Sequence, residues 1–88
     1  MSTIIETLES GIGDLVYFSN AYTEHYGIYI NEANKPSKEY NHAAALAAFD
    51  RAKSYAKMTI NTAKDLGLNP EKVCRDCVHF MESYKEVA

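Results

Sequence analysis

Apolar and tyrosine side chains recur along the first third of the chain at alternating steps of three and four residues. That spacing places them on one face of a helix that packs against a partner helix. The pattern predicts a helix over residues 3–31, although Gly27 costs up to about 1 kcal/mol relative to alanine and leaves the continuation past it open. The predicted face consists of Ile5, Leu8, Ile12, Leu15, Ser19, Tyr22, Tyr26 and Tyr29.

A second apolar face of the same period follows Pro36, which disfavours helix in the residue before it and so marks a loop. Ser37 is placed to cap a helix over residues 38–66. Gly67 is placed to end it, because glycine readily takes the left-handed conformation found at helix ends. Alanine predominates on this face, which allows two helix backbones to approach closely; its members are Ala45, Phe49, Ala52, Ala56, Thr59, Ala63 and Leu66.

A third, shorter helix is predicted over residues 70–86. Asn69 as cap and Pro70 at the first helical position are typical of a helix start, and the apolar stripe that follows consists of Val73, Cys77, Phe80 and Tyr84. Together the elements predict an all-α fold in a single helical domain, residues 1–88: a long antiparallel helical hairpin plus a shorter third helix. Because so short a chain buries little surface, we expect copies of it to assemble into an oligomeric helical bundle.

Charge is distributed unevenly, although the net charge is only −3. Residues 1–34 contain five acidic residues and no lysine or arginine, whereas residues 35–66 contain six basic and three acidic residues. These two segments should attract each other, within one chain or between copies. The net negative charge argues against binding of duplex nucleic acid, whose affinity for proteins comes largely from basic side chains.

Composition and hydropathy bear on where the protein acts. No apolar run approaches the roughly 18 residues that a membrane span needs, and the first ten residues lack the basic and apolar regions of a signal peptide. Two cysteines cannot form a multi-bridge disulfide framework, which favours a reducing compartment. We therefore predict a cytoplasmic protein without a membrane partner.

Cys74 and Cys77 form a CxxC motif, the most obvious candidate for chemistry in the chain. Near a helix N-terminus such a pair can exchange disulfides, and with histidines it can be half of a zinc site. Cys77 lies on the apolar stripe, and the three histidines supply no second metal-ligand pair. Two buried core thiols are therefore the favoured interpretation, with metal binding and redox exchange as alternatives. We predict no cofactor, no metal site and no enzymatic activity.

Two features favour binding. The chain has seven tyrosines, and Tyr22, Tyr26 and Tyr29 cluster near the end of the first helix. There they can stack on a nucleobase, meet a protein or simply fill the space beside alanine. The second feature is a stripe of lysines about 100° around the second helix from its alanine face. The lysines of this stripe are Lys53, Lys57 and Lys64. They can either hold phosphates or simply face solvent.

The segment from Ala45 to Ile60 has the pattern A-x-x-x-F-D-R-A-x-x-Y-A-x-x-x-I. It resembles the C-terminal helix pattern of the phage anti-CBASS cyclic-oligonucleotide sponges, in which an apolar residue, two charged residues, alanine, an aromatic residue and alanine recur at these steps. The resemblance implies a phage-encoded helical oligomer that acts against host defence in the host cytoplasm by sequestering a cyclic di- or trinucleotide. It also implies aromatic stacking on the bases and basic groups on the phosphates.

The first functional hypothesis is therefore a non-enzymatic sponge for a small anionic nucleotide. In this chain the bases would stack on Tyr22 or Tyr26, and the phosphates would be held by basic residues near or within the second helix: Lys38, Arg51, Lys53 and Lys57. The alternative is a small protein-binding inhibitor or adaptor that uses its tyrosine-rich, acidic first helix against a host protein.

Overall fold

A computed structural model describes the backbone of residues 2–35 and 41–87 and the side chains of residues 9–35 and 41–83. Within these ranges the chain is helical and contains no strand, which confirms the predicted all-α class. The helices in chain order are α1 (Ser2–Ala33), α2 (His42–Asp65), α3 (Pro70–Val73) and α4 (Arg75–Val87).

The first helix passes through Gly27 without a break and ends two residues later than predicted, at Ala33. Just beyond its end, Lys35 Nζ forms an ion pair with Glu32 Oε1 at 2.7 Å. The helix is long enough that packing along one face can outweigh the weak propensity of a single glycine. The question that Gly27 left open is therefore answered in favour of one continuous α1.

The second helix begins at His42, later than the predicted start at residue 38. Asn41 has extended backbone angles (φ −109°, ψ 93°), and its side-chain oxygen accepts a hydrogen bond from the Ala44 N–H at 3.0 Å. The prediction of helix at Asn41 is therefore wrong, because asparagine satisfies the free N–H groups of a helix start better than it sustains a helix. The predicted cap, Ser37, and the candidate ligand residue Lys38 lie outside the described residues.

The end of α2 follows the prediction. Gly67 has a φ of 75°, its N–H donates to the Lys64 carbonyl at 3.0 Å, and the Leu68 N–H donates to the Ala63 carbonyl at 2.9 Å. These are the two hydrogen bonds of a Schellman cap, which requires a left-handed residue at this position. The cap stops α2 and turns the chain toward α3.

The predicted third helix is in fact two helices. Asn69 caps α3 as predicted, with its side-chain oxygen accepting from the Glu71 N–H at 3.0 Å. Cys74 then leaves the helical region (φ −143°, ψ 54°), and its carbonyl accepts from the Cys77 N–H at 3.1 Å, which starts α4. The prediction of one continuous helix over residues 70–86 is therefore wrong at Cys74. The turn at this residue changes the chain direction while both cysteines stay in the core.

α1 packs chiefly against α2, and two pairs of residues show that their contacts run in opposite order along the two helices. Gly11, in the first half of α1, lies so close to Leu66 that an added Cβ would be 2.5 Å from Leu66 Cδ2. At the other end of α1, the Tyr29 ring lies 5.0 Å from the ring of Phe49, near the start of α2.

The face of α1 that meets α2 differs in part from the predicted one. The prediction included Ile12, Ser19 and Tyr26, and this part is wrong: Ile12 is 49% exposed, while the other two lie toward α3 and α4. In the observed seam, each of these three is replaced by the residue one position earlier, which is Gly11, Phe18 or His25. Gly11 leaves space for Leu66, and the rings of Phe18 and His25 cover Tyr55. The members of the observed seam are Gly11, Leu15, Phe18, Tyr22, His25 and Tyr29.

Small side chains line the buried face of α2, as predicted. Its buried residues are Ala45, Ala48, Ala52, Ala56, Thr59 and Ala63. Among the described side chains, the large apolar ones that are buried are Leu15, Tyr22 and Phe80, at 5–8% exposed. The protein therefore has a thin core in which helix backbones lie close together.

The molecule is elongated, with extents of 59 × 23 × 15 Å and a radius of gyration of 15.3 Å. A compact chain of this length is expected to have a radius of gyration near 12 Å. The long axis follows from α1, which spans about 48 Å at 1.5 Å per residue. α4 packs on α2 and brings Phe80 beside Tyr22 and Tyr26 of α1.

Candidate ligand-binding groove

A groove runs between α1 and the segment formed by α3 and α4, on the flank where the tyrosines of α1 lie. It consists of two adjoining clefts of about 300 and 260 Å³, which share Tyr22, Thr23 and Asp76 in their linings. We call it the α1–α4 groove. It brings aromatic, hydroxyl and charged side chains from different helices together.

One end of the α1–α4 groove is aromatic. The Tyr26 ring stacks on Tyr22 with centroids 5.8 Å apart and planes inclined by 26°, and it meets Phe80 edge-on at 5.2 Å. Phe80 is buried, whereas Tyr26 is 37% exposed. The Tyr26 ring is therefore held in place by Tyr22 and Phe80 and is still accessible, which suits stacking of a planar group.

The other end of the groove is rich in hydroxyl and basic groups. Ser19 and Thr23 line it from α1, and Lys72 and Arg75 line it from the two sides of the α3–α4 break. Both basic residues are exposed, and their N–H groups are the donors that phosphate oxygens accept from most strongly. Asp76, which lines both ends, can accept a hydrogen bond from a ligand hydroxyl.

Tyr22 connects the two walls of the groove. It is buried, its O–H donates to the backbone carbonyl of Asp76 at 3.3 Å, and its ring lies 5.4 Å from Phe80. Burial raises the pKa of Tyr22 above its usual range, with smaller contributions from the neighbouring acidic groups of Cys77, Tyr26 and Asp76. The phenol therefore stays protonated as a donor. Of the two tyrosines predicted to stack on a base, Tyr22 supports the wall and Tyr26 has the accessible ring.

Of the basic residues predicted to hold phosphates, the three that the structure describes lie elsewhere. Arg51 and Lys53 are two residues apart in α2, which puts them about 200° apart around the helix, on opposite sides of its buried face. Lys53 Nζ lies 3.8 Å from Asp50 Oδ1 and 6.0 Å from the centre of the Phe49 ring, and Lys57 is exposed one turn further on. None of these three basic residues lines the α1–α4 groove. The structure therefore brings Tyr22 and Tyr26 together, but it does not bring them together with Arg51, Lys53 or Lys57.

Lys72 and Arg75 were not among the ligand residues predicted from the sequence. Their position depends on the break at Cys74, which hydrophobic periodicity does not indicate, and on the packing of α3 and α4 beside α1. The local signal that could have found them is their place directly around the first cysteine of the CxxC motif.

Cys74 and Cys77 lie at the basic end of the groove. They are 6% and 2% exposed and both are free thiols, which confirms the predicted burial. Burial raises the pKa of Cys74, and burial also raises the pKa of Cys77 to about 12. The neighbouring Cys74 thiol further raises the pKa of Cys77, whereas the Thr59 hydroxyl lowers it. Within the described ranges, no group of three or more histidine, cysteine, aspartate and glutamate side chains is placed to hold a metal ion.

No protein-family model, curated protein or solved structure matches the chain. In the part of the chain that the structure describes, no helix combines the length and hydropathy needed to cross a membrane. Function is therefore inferred from the α1–α4 groove and from the exposed surface.

Proposed function

We propose that the chain is a non-enzymatic binding protein whose α1–α4 groove takes a small anionic nucleotide, such as a cyclic di- or trinucleotide. The order of side chains along the groove supports this proposal. Tyr26 offers an accessible ring at one end, and Lys72 and Arg75 offer positive charge at the other. A nucleotide has the matching arrangement, with a flat base at one end and phosphate at the other.

Different residues of the groove bind different parts of the ligand. The base stacks on Tyr26, an interaction that contributes about 1–3 kcal/mol per base in other proteins. Phosphate oxygens accept hydrogen bonds from Lys72 and Arg75, each worth about 1.5–3 kcal/mol when one partner is charged. The two adjoining clefts of about 300 and 260 Å³ together lie within the range of ligand-pocket volumes. With one base on Tyr26, a cyclic dinucleotide presents its second base to a second copy of the chain.

The biological role that goes with this proposal is sequestration. A sponge lowers the free concentration of a nucleotide signal without changing it chemically, which agrees with the anti-defence role implied by the resemblance of residues 45–60. The phage origin and the cytoplasmic location stay predictions.

The nucleotide proposal predicts a change in thermal stability. Cyclic di-AMP, cyclic di-GMP and cyclic GMP–AMP are compared with adenosine and guanosine, which have the same bases without phosphate. At least one cyclic dinucleotide should raise the melting temperature, because a ligand at 100 times its Kd adds about 2.7 kcal/mol to stability. The shift should shrink as salt is raised, since phosphate contacts are screened, and the nucleosides should give no comparable shift.

Two double variants locate the site. Lys72→Ala with Arg75→Ala should weaken binding by about tenfold or more, since a loss of about 1.4 kcal/mol is already tenfold. Lys53→Ala with Lys57→Ala is the matched control and should bind as the wild type does. The reverse result would place the phosphates on α2, and a melting temperature unchanged by all three cyclic dinucleotides would contradict the proposal.

A second candidate function is protein binding, beginning with self-association, and the exposed apolar surface favours it. Ten large apolar side chains of the described part are 37–60% exposed, whereas three are buried. Exposed apolar surface on a chain with so thin a core is typical of an interface. The exposed side chains are Ile12, Val16, Tyr17, Tyr26, Ile28, Ile30, Leu46, Met58, Leu68 and Val73.

For this candidate, we propose that α1 and α2 form an antiparallel hairpin that assembles with further copies into an oligomeric bundle. The opposite order of the α1–α2 contacts supports the hairpin. Charge supports a second copy as the partner, because the described side chains of α1 include four acidic and no basic residues, whereas α2 exposes several basic ones. An inhibitor or adaptor of a host protein would use the same apolar surface.

Assembly predicts a solution mass that is a multiple of the 9.9 kDa chain, measured by light scattering after gel filtration. Ile12→Ser with Val16→Ser, at exposed positions one turn apart on α1, should lower that mass or shift assembly to higher concentration, because less apolar area is buried. Ala47→Ser, exposed on α2, is the control and should leave the mass unchanged. A wild-type mass equal to one chain would contradict self-assembly and leave the apolar surface for a different protein.

A further inference from the structure

Cys74 and Cys77 share one turn of chain at the point where α3 ends and α4 begins. Residues three apart on a helix have Cβ atoms roughly 5–6 Å apart, whereas a disulfide needs about 3.5–4.5 Å. Cys74 lies outside the helical region (φ −143°, ψ 54°), so it can move toward Cys77 without unwinding α4. The Cys77 N–H donates to the Cys74 carbonyl at 3.1 Å and closes the turn that holds both residues.

A small molecule can reach this pair from the basic end of the α1–α4 groove. Both cysteines line that cleft of about 260 Å³ together with Lys72 and Arg75. Cys74 is the more accessible of the two, at 6% exposed against 2%, and it directly precedes α4. Burial raises the pKa of Cys74, so its reactive thiolate forms more readily as the pH rises. The structure therefore distinguishes an outer thiol, Cys74, from an inner one, Cys77.

We propose that Cys74 and Cys77 form a reversible intramolecular disulfide by exchange with a low-molecular-weight disulfide such as oxidised glutathione. The Cys74 Sγ gives its proton to solvent and attacks one sulfur of glutathione disulfide, which releases one glutathione thiolate and leaves a mixed disulfide. The Cys77 Sγ then loses its proton and attacks the Cys74 Sγ, so that the bond to the second glutathione breaks. Two protein thiols are oxidised to one disulfide, and the oxidant is reduced to two thiols that take up the two protons.

The disulfide lies where three helices meet. The backbone carbonyl of Asp76, between the two cysteines, accepts the hydrogen bond from Tyr22 of α1, and the Cys77 thiol lies beside the Thr59 hydroxyl of α2. Formation of the Cys74–Cys77 disulfide would therefore constrain the first turn of α4 where it contacts α1 and α2. This inference does not rest on the nucleotide proposal, because its readout is the state of the thiols alone.

The test uses the folded chain in anaerobic mixtures of reduced and oxidised glutathione, followed by acid quench, alkylation and mass spectrometry. The expected product is one chain that has lost two hydrogen masses and takes up no alkylating reagent. Cys77→Ser should accumulate a mixed disulfide with glutathione at Cys74, because the second attack is missing. Cys74→Ser should react more slowly, because the inner thiol is less accessible. Far-UV circular dichroism checks that each variant is folded.

The wild-type measurement decides the proposal even if a serine variant fails to fold. Thiols that remain open to alkylation in the folded chain, under conditions in which the urea-unfolded chain becomes oxidised, would overturn it. A product that links two chains would overturn it as well. Faster glutathione uptake by folded Cys74→Ser than by folded Cys77→Ser would overturn the assignment of Cys74 as the attacking thiol.

Discussion

Replacing Phe80 with alanine should lower the free energy of unfolding by about 3–5 kcal/mol, the range for removing a buried phenylalanine side chain. The Phe80 ring is buried and lies 5.4 Å from Tyr22, 5.2 Å from Tyr26 and 5.5 Å from Phe49. It is therefore one side chain of α4 that contacts both α1 and α2. Alanine would leave a cavity at that junction, and urea unfolding followed by far-UV circular dichroism measures the loss.

The matched control is Tyr17→Ala, which removes a ring of similar size from a position that is 60% exposed. Its loss should stay near the roughly ±0.5 kcal/mol of ordinary surface substitutions. Both variants must be compared with the wild type at one protein concentration, because assembly adds to apparent stability. Equal losses in the two variants would show that α4 contributes little to the stability of α1 and α2.

The parts of the fold that local sequence determines were predictable. Gly67 and Asn69 mark the end of α2 and the start of α3 because each satisfies backbone groups within a few residues of itself. Asn41 has the same kind of cap and was missed, since Ser37 offered an earlier cap of equal quality. Local capping thus indicates that a helix starts in this region, and competition between nearby caps decides where.

The α1 seam depended on the partner helix and was only half predictable. Between Leu15 and Tyr22, which lie on both the predicted and the observed face, either Phe18 or Ser19 satisfies the alternation of three-residue and four-residue steps. The choice is made by α2, where Tyr55 contacts the Phe18 ring at 6.1 Å. Sequence periodicity identifies a helix face to within one residue, and the shape of the opposite helix selects the register.

The candidate groove was predictable in its aromatic part and not in its basic part. Tyr26 could be identified because tyrosines cluster within α1, a property of one helix. Lys72 and Arg75 reach the groove only because the chain turns at Cys74 and sets α4 beside α1. The lysines of α2 form a stripe in sequence, and that stripe lies on another side of the molecule.

Replacing Ala52 with leucine should destabilise the protein by about 1–3 kcal/mol, the usual cost of overpacking a core. Ala52 is fully buried on the face of α2 that meets α1, between Ala48 and Ala56, which are also buried. The larger side chain has no space there unless α1 moves away, and Gly11 against Leu66 shows how closely the two helices approach elsewhere on this seam. Urea unfolding measures the loss, and a lower slope with denaturant would indicate a less compact native state.

Ala47→Leu is the control for this prediction, because Ala47 is exposed on the same helix and leucine is nearly as good a helix former as alanine. Its effect should stay within about 0.5 kcal/mol, so the difference between the two variants isolates the packing against α1. If Ala52→Leu were as stable as the wild type, α1 and α2 would have to be far enough apart to admit three more heavy atoms. The alanine face would then not be a close-packed seam. The position of Tyr26 beside Phe80 depends on that seam, and so does the aromatic end of the α1–α4 groove.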